Sequence, residues 1–73
     1  MMNKSDIARV WFTPERIWVE TSDGRRGYEL YADYPRLNSA TQKQRESYEM
    51  SYFGFHWPEL DEDLSYDGFF LVR

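Results

Sequence analysis

One short segment in the first third of the chain restricts the fold more than any other. Ile17 and Val19 alternate with polar or amphipathic neighbours, a period of two that is typical of a half-buried antiparallel strand. Asp23-Gly24 follows this run directly. An Asp-Gly pair between two alternating runs is a strong signal for a tight hairpin, because such a turn needs positive φ angles. We therefore expect the chain to reverse here within an antiparallel sheet.

Two neighbouring runs extend this prediction to a three-stranded meander. Residues 6–12 are rich in β-branched and aromatic side chains and end at a Thr-Pro turn signal, and residues 25–31 follow the hairpin. We expect Tyr28 and Leu30 to share the core face of the third strand. Glu29 and Tyr31 then lie on the outer face beside Trp18.

A helix is predicted to cover the apolar face of this sheet, which needs a cover to be stable. Pro35 ends any strand continuation. Thr41 and Gln44 have the spacing of a capping box, and so do Ser39 and Gln42. The prediction is a short helix over about residues 40–50.

The last third is predicted to be less regular. Residues 55–58 are expected to be extended, because the residue before a proline avoids the helical region. A helical turn then starts at Pro58, points Leu60 and Leu64 inward and ends at Gly68. Residues 69–72 are expected to return as a short strand or to dock on the core. The predicted fold class is therefore α+β in a single domain over residues 1–73: a three-stranded antiparallel meander, one short helix packed on it, and a C-terminal turn plus short strand.

The size and the aromatic content decide how such a domain is stabilised. The chain has 73 residues and no cysteine, which excludes a second domain, disulfides and thiolate metal sites. Three tryptophans, six tyrosines and five phenylalanines supply large apolar area, more than a small core hides completely. We expect Phe12, Tyr28 and Trp57 in the core, and Trp18 with Tyr31 at the surface.

The charge is divided unevenly along the chain. Residues 1–45 carry eight basic and six acidic side chains, whereas residues 46–73 carry one basic and seven acidic ones. A net charge of −4 argues against a generic nucleic-acid binder, which gains affinity by neutralising phosphates. A local basic face is still compatible with the first half, which includes Arg9, Arg16, Arg25, Arg26 and Arg36.

The sequence offers no convincing catalytic, metal or cofactor site. Asp61, Asp63, Ser65 and Asp67 alternate as in a calcium-binding loop, but the position that needs glycine holds a tyrosine and the final glutamate position holds a valine. His56 is the single histidine and is expected to be a structural hydrogen-bonding residue. We expect no enzyme activity, no metal and no cofactor.

The outer sheet face is the better candidate for function. Trp, Tyr and Arg are the residues that most often anchor interfaces. We expect a partner-binding surface formed by Arg16, Trp18, Arg25 and Tyr31. The alternative is that an arginine covers the indole of Trp18 by a cation–π contact, with no partner involved.

The start of the chain and its short apolar runs bear on location. Met1 to Lys4 leads directly into polar residues, and the longest apolar run, residues 69–72, is far shorter than a membrane span of about 20 residues. We expect a cytoplasmic protein without membrane association.

Four motifs, taken with their spacing, resemble a known family. They are Tyr34-Pro35-Arg36-Leu37, Ala40-Thr41 with Gln44-Arg45, Trp57-Pro58-Glu59-Leu60-Asp61-Glu62-Asp63, and Gly68. The arrangement is similar to the small bacterial domain of unknown function 2442 (DUF2442) over nearly the whole chain. One departure is Gln42, where the family often has proline, but the predicted cap at Thr41 remains.

The resemblance implies a compact α+β domain without catalytic residues. Family members are often encoded beside another small protein, in pairs that resemble toxin–antitoxin modules. We therefore expect a protein-binding, antitoxin-like or accessory role with a co-encoded partner. Direct nucleic-acid contact through the arginines and an acidic mimic of nucleic acid remain alternatives, and a homodimer is compatible with the sequence.

The shared motifs are expected to be structural. We expect Arg36 or Arg45 to form an ion pair with Asp61 or Asp63 and so fix the helix to the C-terminal turn. The residues assigned to this structural motif are Pro35, Arg36, Leu37, Arg45, Trp57, Asp61 and Asp63.

Overall fold

The computed structural model describes residues 1–71 and confirms the α+β class. Along the chain, an antiparallel three-stranded sheet comes first, two short helices follow, and a second antiparallel three-stranded sheet comes last. The elements are β1 (Ile7–Phe12), β2 (Arg16–Thr21), β3 (Arg26–Leu30), α1 (Pro35–Asn38), α2 (Gln42–Glu46), β4 (Glu49–Met50), β5 (Gly54–Trp57) and β6 (Glu62–Ser65). Three 3₁₀ segments lie at Lys4–Asp6, Tyr31–Asp33 and Asp67–Phe70.

The first sheet is the predicted meander, with strands in the order β1-β2-β3. Its inner face carries Ile17 and Val19, which are 1% and 0% exposed. The β1–β2 turn is closed by the amide of Thr13, which donates to the carbonyl oxygen of Arg16 at 2.9 Å. The period-two pattern of β2 was therefore sufficient to identify its buried face.

The hairpin between β2 and β3 lies where the Asp-Gly pair predicts it, but its loop is one residue longer than a two-residue Asp-Gly turn. Thr21 pairs with Arg25, so three residues form the loop, and Gly24 takes the left-handed conformation with φ +87°. This is the common three-residue hairpin. One extra loop residue moves every side chain of the following strand to the opposite face. The predicted orientation of β3 is therefore wrong: Tyr28 faces outward, whereas Glu29 and Tyr31 are buried at 4% and 2% exposure.

The last third folds into a second sheet with strands in the order β4-β5-β6. The predicted extended segment is β5, but the helical turn predicted after Pro58 is wrong. A tight turn ends at Asp61, whose φ is +51°, and β6 pairs with β5 so that Leu64 lies opposite Phe55. The inward pattern of Leu60 and Leu64 fits a period of two as well as a helical i, i+4 spacing, which explains the error.

The helix predicted over residues 40–50 is confirmed at its start and is shorter at its end. Thr41 accepts from the amide of Gln44, and the Gln44 side chain accepts from the amide of Thr41, which is the predicted capping box. The helix ends at Glu46, because the chain then turns into β4. A separate helix, α1, begins at Pro35 in the favourable first position and was not predicted.

The core between the two sheets is largely aromatic. Phe55 lies at its centre, with ring centroids 5.1 Å from Tyr66, 5.4 Å from Phe69, 6.0 Å from Trp57 and 5.2 Å from Tyr48. Most of these pairs meet edge to face, the arrangement that the ring quadrupole favours. Trp57 is buried as predicted, whereas Phe12 is only half buried at the margin of the core.

The C-terminal segment Asp67–Phe70 is a 3₁₀ helix and not a strand, and Gly68 lies inside it instead of ending a helix. Phe69 is 2% exposed, so the segment docks on the core, which was the other expected outcome. It packs against β3 so closely that a Cβ on Gly27 would lie 2.3 Å from the carbonyl oxygen of Phe69. Val72, the end of the predicted strand, lies outside the described residues. No helix in residues 1–71 is long and apolar enough to span a membrane.

Candidate functional site

The exposed face of the first sheet presents three rows of side chains across its strands. The register places Arg9, Glu20 and Arg26 in one row and Trp11, Trp18 and Tyr28 in the next, with Arg16 beside Leu30 in the third. We call the rings of Trp11, Trp18 and Tyr28 the aromatic row. We call this row together with Arg9, Arg16, Glu20 and Arg26 the outer face.

The aromatic row is a contiguous set of half-buried rings. The indoles of Trp11 and Trp18 are parallel within 3°, with centroids 5.8 Å apart, and the centroid of Tyr28 lies 5.0 Å from that of Trp18. Directly opposed aromatic residues on neighbouring strands stabilise a sheet. The rings therefore form an ordered apolar stripe across all three strands.

Arginine side chains lie over every ring of this row. The guanidinium carbon of Arg9 is 4.5 Å from the Trp11 centroid, and that of Arg26 is 5.8 Å from it. Arg16 lies 4.3 Å from the Tyr28 centroid and 5.7 Å from that of Trp18. These distances are in the range of cation–π attraction. The arginine cover of Trp18, which was the alternative to a partner-binding role, is thus present.

Glu20 holds two of these arginines in place. Its carboxylate lies 2.8 Å from Nε of Arg26 and 3.9 Å from Nη1 of Arg9. The hydrogen bond from Arg26, with the charges of both arginines, lowers the pKa of Glu20 despite the opposing effect of desolvation. With three guanidinium groups and a single carboxylate, the outer face carries a net charge of +2 in a chain whose total charge is −4.

Two of the four predicted partner-binding residues lie on the outer face and two do not. Trp18 and Arg16 are there, side by side. Tyr31 is buried, and its hydroxyl lies 2.8 Å and 2.7 Å from the carbonyl oxygens of Thr13 and Arg16, so its predicted surface position is wrong. Burial raises the pKa of Tyr31, against the effect of the Arg45 charge. Arg25 lies at the hairpin and pairs with Asp23 at 3.3 Å.

The residues that complete the outer face were not predicted as part of the site. They are Arg9, Trp11, Arg26 and Tyr28. Trp11 was detectable in principle, because a short turn after Thr13 places residue 11 opposite residue 18. Tyr28 was missed because its side depends on the length of the hairpin loop, which the Asp-Gly signal did not specify.

The predicted structural motif does fix the helices to the rest of the fold, but through backbone carbonyl groups. Nη1 of Arg36 donates to the carbonyl oxygen of Asp61 at 2.7 Å. Asp63 accepts from His56 at 2.7 Å instead of from an arginine. Residues 1–71 contain no ion pair between Arg36 or Arg45 and Asp61 or Asp63, so this prediction is wrong. The left-handed turn at Asp61 exposes its carbonyl group, which a sequence pattern does not reveal.

Arg45 connects α1, α2 and the core. Its guanidinium donates to the carbonyl oxygens of Leu37 and Asn38, at 2.8 and 3.1 Å, and lies 4.0 Å from the ring centroid of Tyr31. The carbonyl oxygen of Arg45 in turn accepts from Nε1 of Trp57 at 2.8 Å. Leu37 is 1% exposed, and Pro35 opens its helix. These motif residues thus organise the fold around Trp57.

The acidic segment does not assemble a metal site within residues 1–71, where no group of three His, Cys, Asp or Glu side chains has suitable geometry. Its residues contact protein groups instead. Asp67 accepts from the amide of Met2 at 2.7 Å, and Glu59 accepts from the side chain of Gln44 at 2.9 Å. The expected hydrogen bond of His56 is present, with Asp63.

A scan against protein-family models matches residues 7–70 to the family described as "Protein of unknown function (DUF2442)". The match covers nearly the whole chain, in agreement with the resemblance of its motifs. No curated protein and no solved structure matches the chain.

Proposed function

The chain belongs to the DUF2442 family of proteins of unknown function, and we propose that it is a non-enzymatic protein-interaction domain whose binding surface is the outer face. The observation that carries this proposal is the aromatic row with arginines around it. Rings and guanidinium groups are the side chains that most often dominate binding energy at protein interfaces. The role we assign is that of an antitoxin-like or accessory protein in the bacterial cytoplasm, acting on a co-encoded bacterial or phage protein.

The charge of the outer face defines the chemistry of the partner. With a net charge of +2, this face repels a second copy of itself and attracts an acidic surface. The complementary surface has an apolar centre that covers the aromatic row. Around that centre it has carboxylates that pair with Arg9, Arg16 and Arg26.

The decisive experiment uses the purified product of the neighbouring gene as the probe. Calorimetry should give a measurable Kd for the wild-type chain, and Trp18→Ala should weaken binding by about 30-fold, the loss typical of a central hot-spot residue. Tyr52→Ala is the matched control, because Tyr52 is a 62% exposed aromatic residue in the turn between β4 and β5. Equal losses in both variants, or no loss in Trp18→Ala, would refute the outer face as the binding surface.

A growth assay tests the antitoxin-like role separately. Expression of the neighbouring gene alone should arrest growth, and co-expression of the wild-type chain should relieve the arrest. Absence of toxicity from the neighbour would leave an accessory role and contradict the antitoxin-like one.

Direct binding of single-stranded nucleic acid is the second candidate, because a basic surface with exposed rings is the usual platform for stacked bases. The net charge of −4 weighs against it, since nucleic-acid binding gains its affinity mainly by neutralising phosphates. Tryptophan fluorescence titrated with a mixed-sequence oligonucleotide at low salt separates the two proposals. A salt-sensitive change, lost in Arg16→Glu, would favour nucleic acid.

A further inference from the structure

The outer face divides into two parts that differ in charge. In the row of Arg9, Glu20 and Arg26, the carboxylate on the central strand lies between an arginine on each neighbouring strand. The row of Arg16 contains no acidic side chain, and Arg16 forms no ion pair with any carboxylate of residues 1–71. The charge of Arg16 is therefore available to a partner, whereas the charges of Arg9 and Arg26 are partly compensated.

Glu20 occupies donor groups that an acidic partner needs. A carboxylate pairs most strongly with arginine through two parallel hydrogen bonds from the guanidinium group. One oxygen of Glu20 already accepts from Nε of Arg26 at 2.8 Å, and the other lies 3.9 Å from Nη1 of Arg9. A partner carboxylate has to displace Glu20 from Nε of Arg26, or it has to use the remaining nitrogens beside a like charge. Glu20 opposes both arrangements.

Glu20 is not the only group that places these two arginines. The guanidinium carbons of Arg9 and Arg26 lie 4.5 Å and 5.8 Å from the ring centroid of Trp11, within the range of cation–π attraction. Both arginine side chains are 60% exposed, whereas the side chain of Glu20 is 20% exposed. The arginines thus lie toward the solvent from which a partner arrives, and we expect them to stay over Trp11 when the charge of Glu20 is removed.

We propose that Glu20 is an internal competitor of the partner: in the unbound protein its carboxylate holds the place at Arg26 and Arg9 that a partner carboxylate takes in the complex. This inference rests on the proposed function, because it concerns the same surface. Its consequence is selectivity. One isolated carboxylate pairs only with Arg16, whereas a partner with several carboxylates around an apolar centre gains enough to displace Glu20. A repulsive element of this kind is a common source of binding specificity.

A competitor and a purely structural residue predict opposite effects on binding. Glu20 stabilises the unbound protein through its pair with Arg26, so its replacement costs stability in either case. If Glu20 is a competitor, the same replacement strengthens the binding of an acidic partner. If Glu20 only positions the arginines, the replacement weakens binding as well.

Glu20→Gln is the direct test, because it removes one negative charge and keeps the size of the side chain. The probe is a synthetic acidic peptide with a central leucine and two glutamates on each side. Binding is followed by NMR through the indole Nε1–H signals of Trp11 and Trp18. The variant should bind the peptide about fivefold more tightly than the wild type does, the Coulomb effect of one nearby like charge in water. An unchanged or weaker affinity would overturn the inference.

Asp23→Asn is the matched control. Asp23 also pairs with an arginine, Arg25 at 3.3 Å, and its replacement removes the same charge from the chain. It lies in the hairpin loop, away from the aromatic row, so its replacement should change the affinity by less than about twofold at physiological salt. Equal gains in Asp23→Asn and Glu20→Gln would show a general charge effect and refute the specific role of Glu20.

A measurement on the wild type decides if Glu20→Gln does not fold. The Nε–H signal of Arg26 reports its hydrogen bond to Glu20 in the unbound protein. Saturation with the peptide should shift this signal in step with the indole signal of Trp18. A shift at Trp18 without a change at Nε of Arg26 would mean that Glu20 keeps its place in the complex, and the inference would then be wrong.

The same titrations with the product of the neighbouring gene separate this inference from the proposed function. Binding that is lost in Trp18→Ala but is not strengthened in Glu20→Gln would overturn only the competitor. Absence of binding to both probes, in the wild type and in Glu20→Gln, would refute the outer face as a binding surface and the competitor with it. Binding by Glu20→Gln alone would support both, with a competitor strong enough to mask the surface.

Discussion

The aromatic row on the outer face and the aromatic core are built from the same kinds of side chain in two different environments. Around Phe55 the rings contact one another edge to face and exclude water, with Trp57, Tyr66 and Phe69 at 2% exposure or less. Around Trp18 the rings remain half exposed, with guanidinium groups over them. Aromatic content alone therefore does not identify a core, because what covers each ring determines its contribution.

The largest expected difference between the two sets is in stability. Trp57→Ala should lower the free energy of unfolding by about 3–5 kcal/mol, because it leaves a cavity and orphans the carbonyl oxygen of Arg45. Trp18→Ala should cost about 1–2 kcal/mol, the value of a half-buried stacked ring. Urea denaturation followed by circular dichroism measures both. Similar losses in the two variants would contradict the division into core and surface rings.

If Trp57→Ala does not fold, Trp57→Phe gives the same test in a milder form. It keeps a ring in the core but loses the hydrogen bond to Arg45. We expect this variant to remain folded, with a free energy of unfolding between those of the wild type and the alanine variant.

Replacement of an arginine should have the next largest difference in effect on stability between the two regions. Arg45→Met removes hydrogen bonds to Leu37 and Asn38 and the contact with Tyr31, and should cost about 2–3 kcal/mol. Arg16→Met, the matched change on the outer face, should cost less than about 1 kcal/mol. Thermal denaturation compares them. An equal loss would mean that the arginines of the outer face are structural.

The helix cap provides a smaller and local test. Thr41→Ala should destabilise the chain by about 1 kcal/mol, because the amide of Gln44 loses its acceptor. Thr41→Ser keeps the hydroxyl group and is the control. The fold of β1–β3 should be unchanged in both, as monitored by the amide shifts of Trp18 and its neighbours, since the cap lies outside the first sheet.

The smallest effect concerns the charge of the outer face. Because the pKa of Glu20 is lowered in the folded state, its contribution to stability is present above the ordinary glutamate pKa and is lost as pH falls through the lowered value. Glu20→Gln should therefore melt below the wild type at neutral pH and converge with it in acid. A melting-temperature difference that persists at low pH would show that Glu20 acts through packing instead of charge.

The sequence determined the features that depend on neighbouring residues. The alternation of Ile17 and Val19 set the buried face of β2, and Asp23-Gly24 set the position of the hairpin. The capping box at Thr41 fixed where α2 begins. Each of these is a short-range pattern whose physical cause, a backbone period or a local hydrogen bond, lies within a few residues.

The tertiary structure decided the features that depend on the length of a turn or on pairing with a distant segment. The three-residue hairpin turned Tyr28 outward and Tyr31 inward, and so placed the aromatic row. Pairing with β5 made β6 a strand where the local spacing also fitted a helix, and the left-handed turn at Asp61 gave Arg36 a carbonyl group in place of a carboxylate. The physical reason is that a period of two identifies the faces of a strand, whereas only turn length and long-range pairing determine which face meets the core.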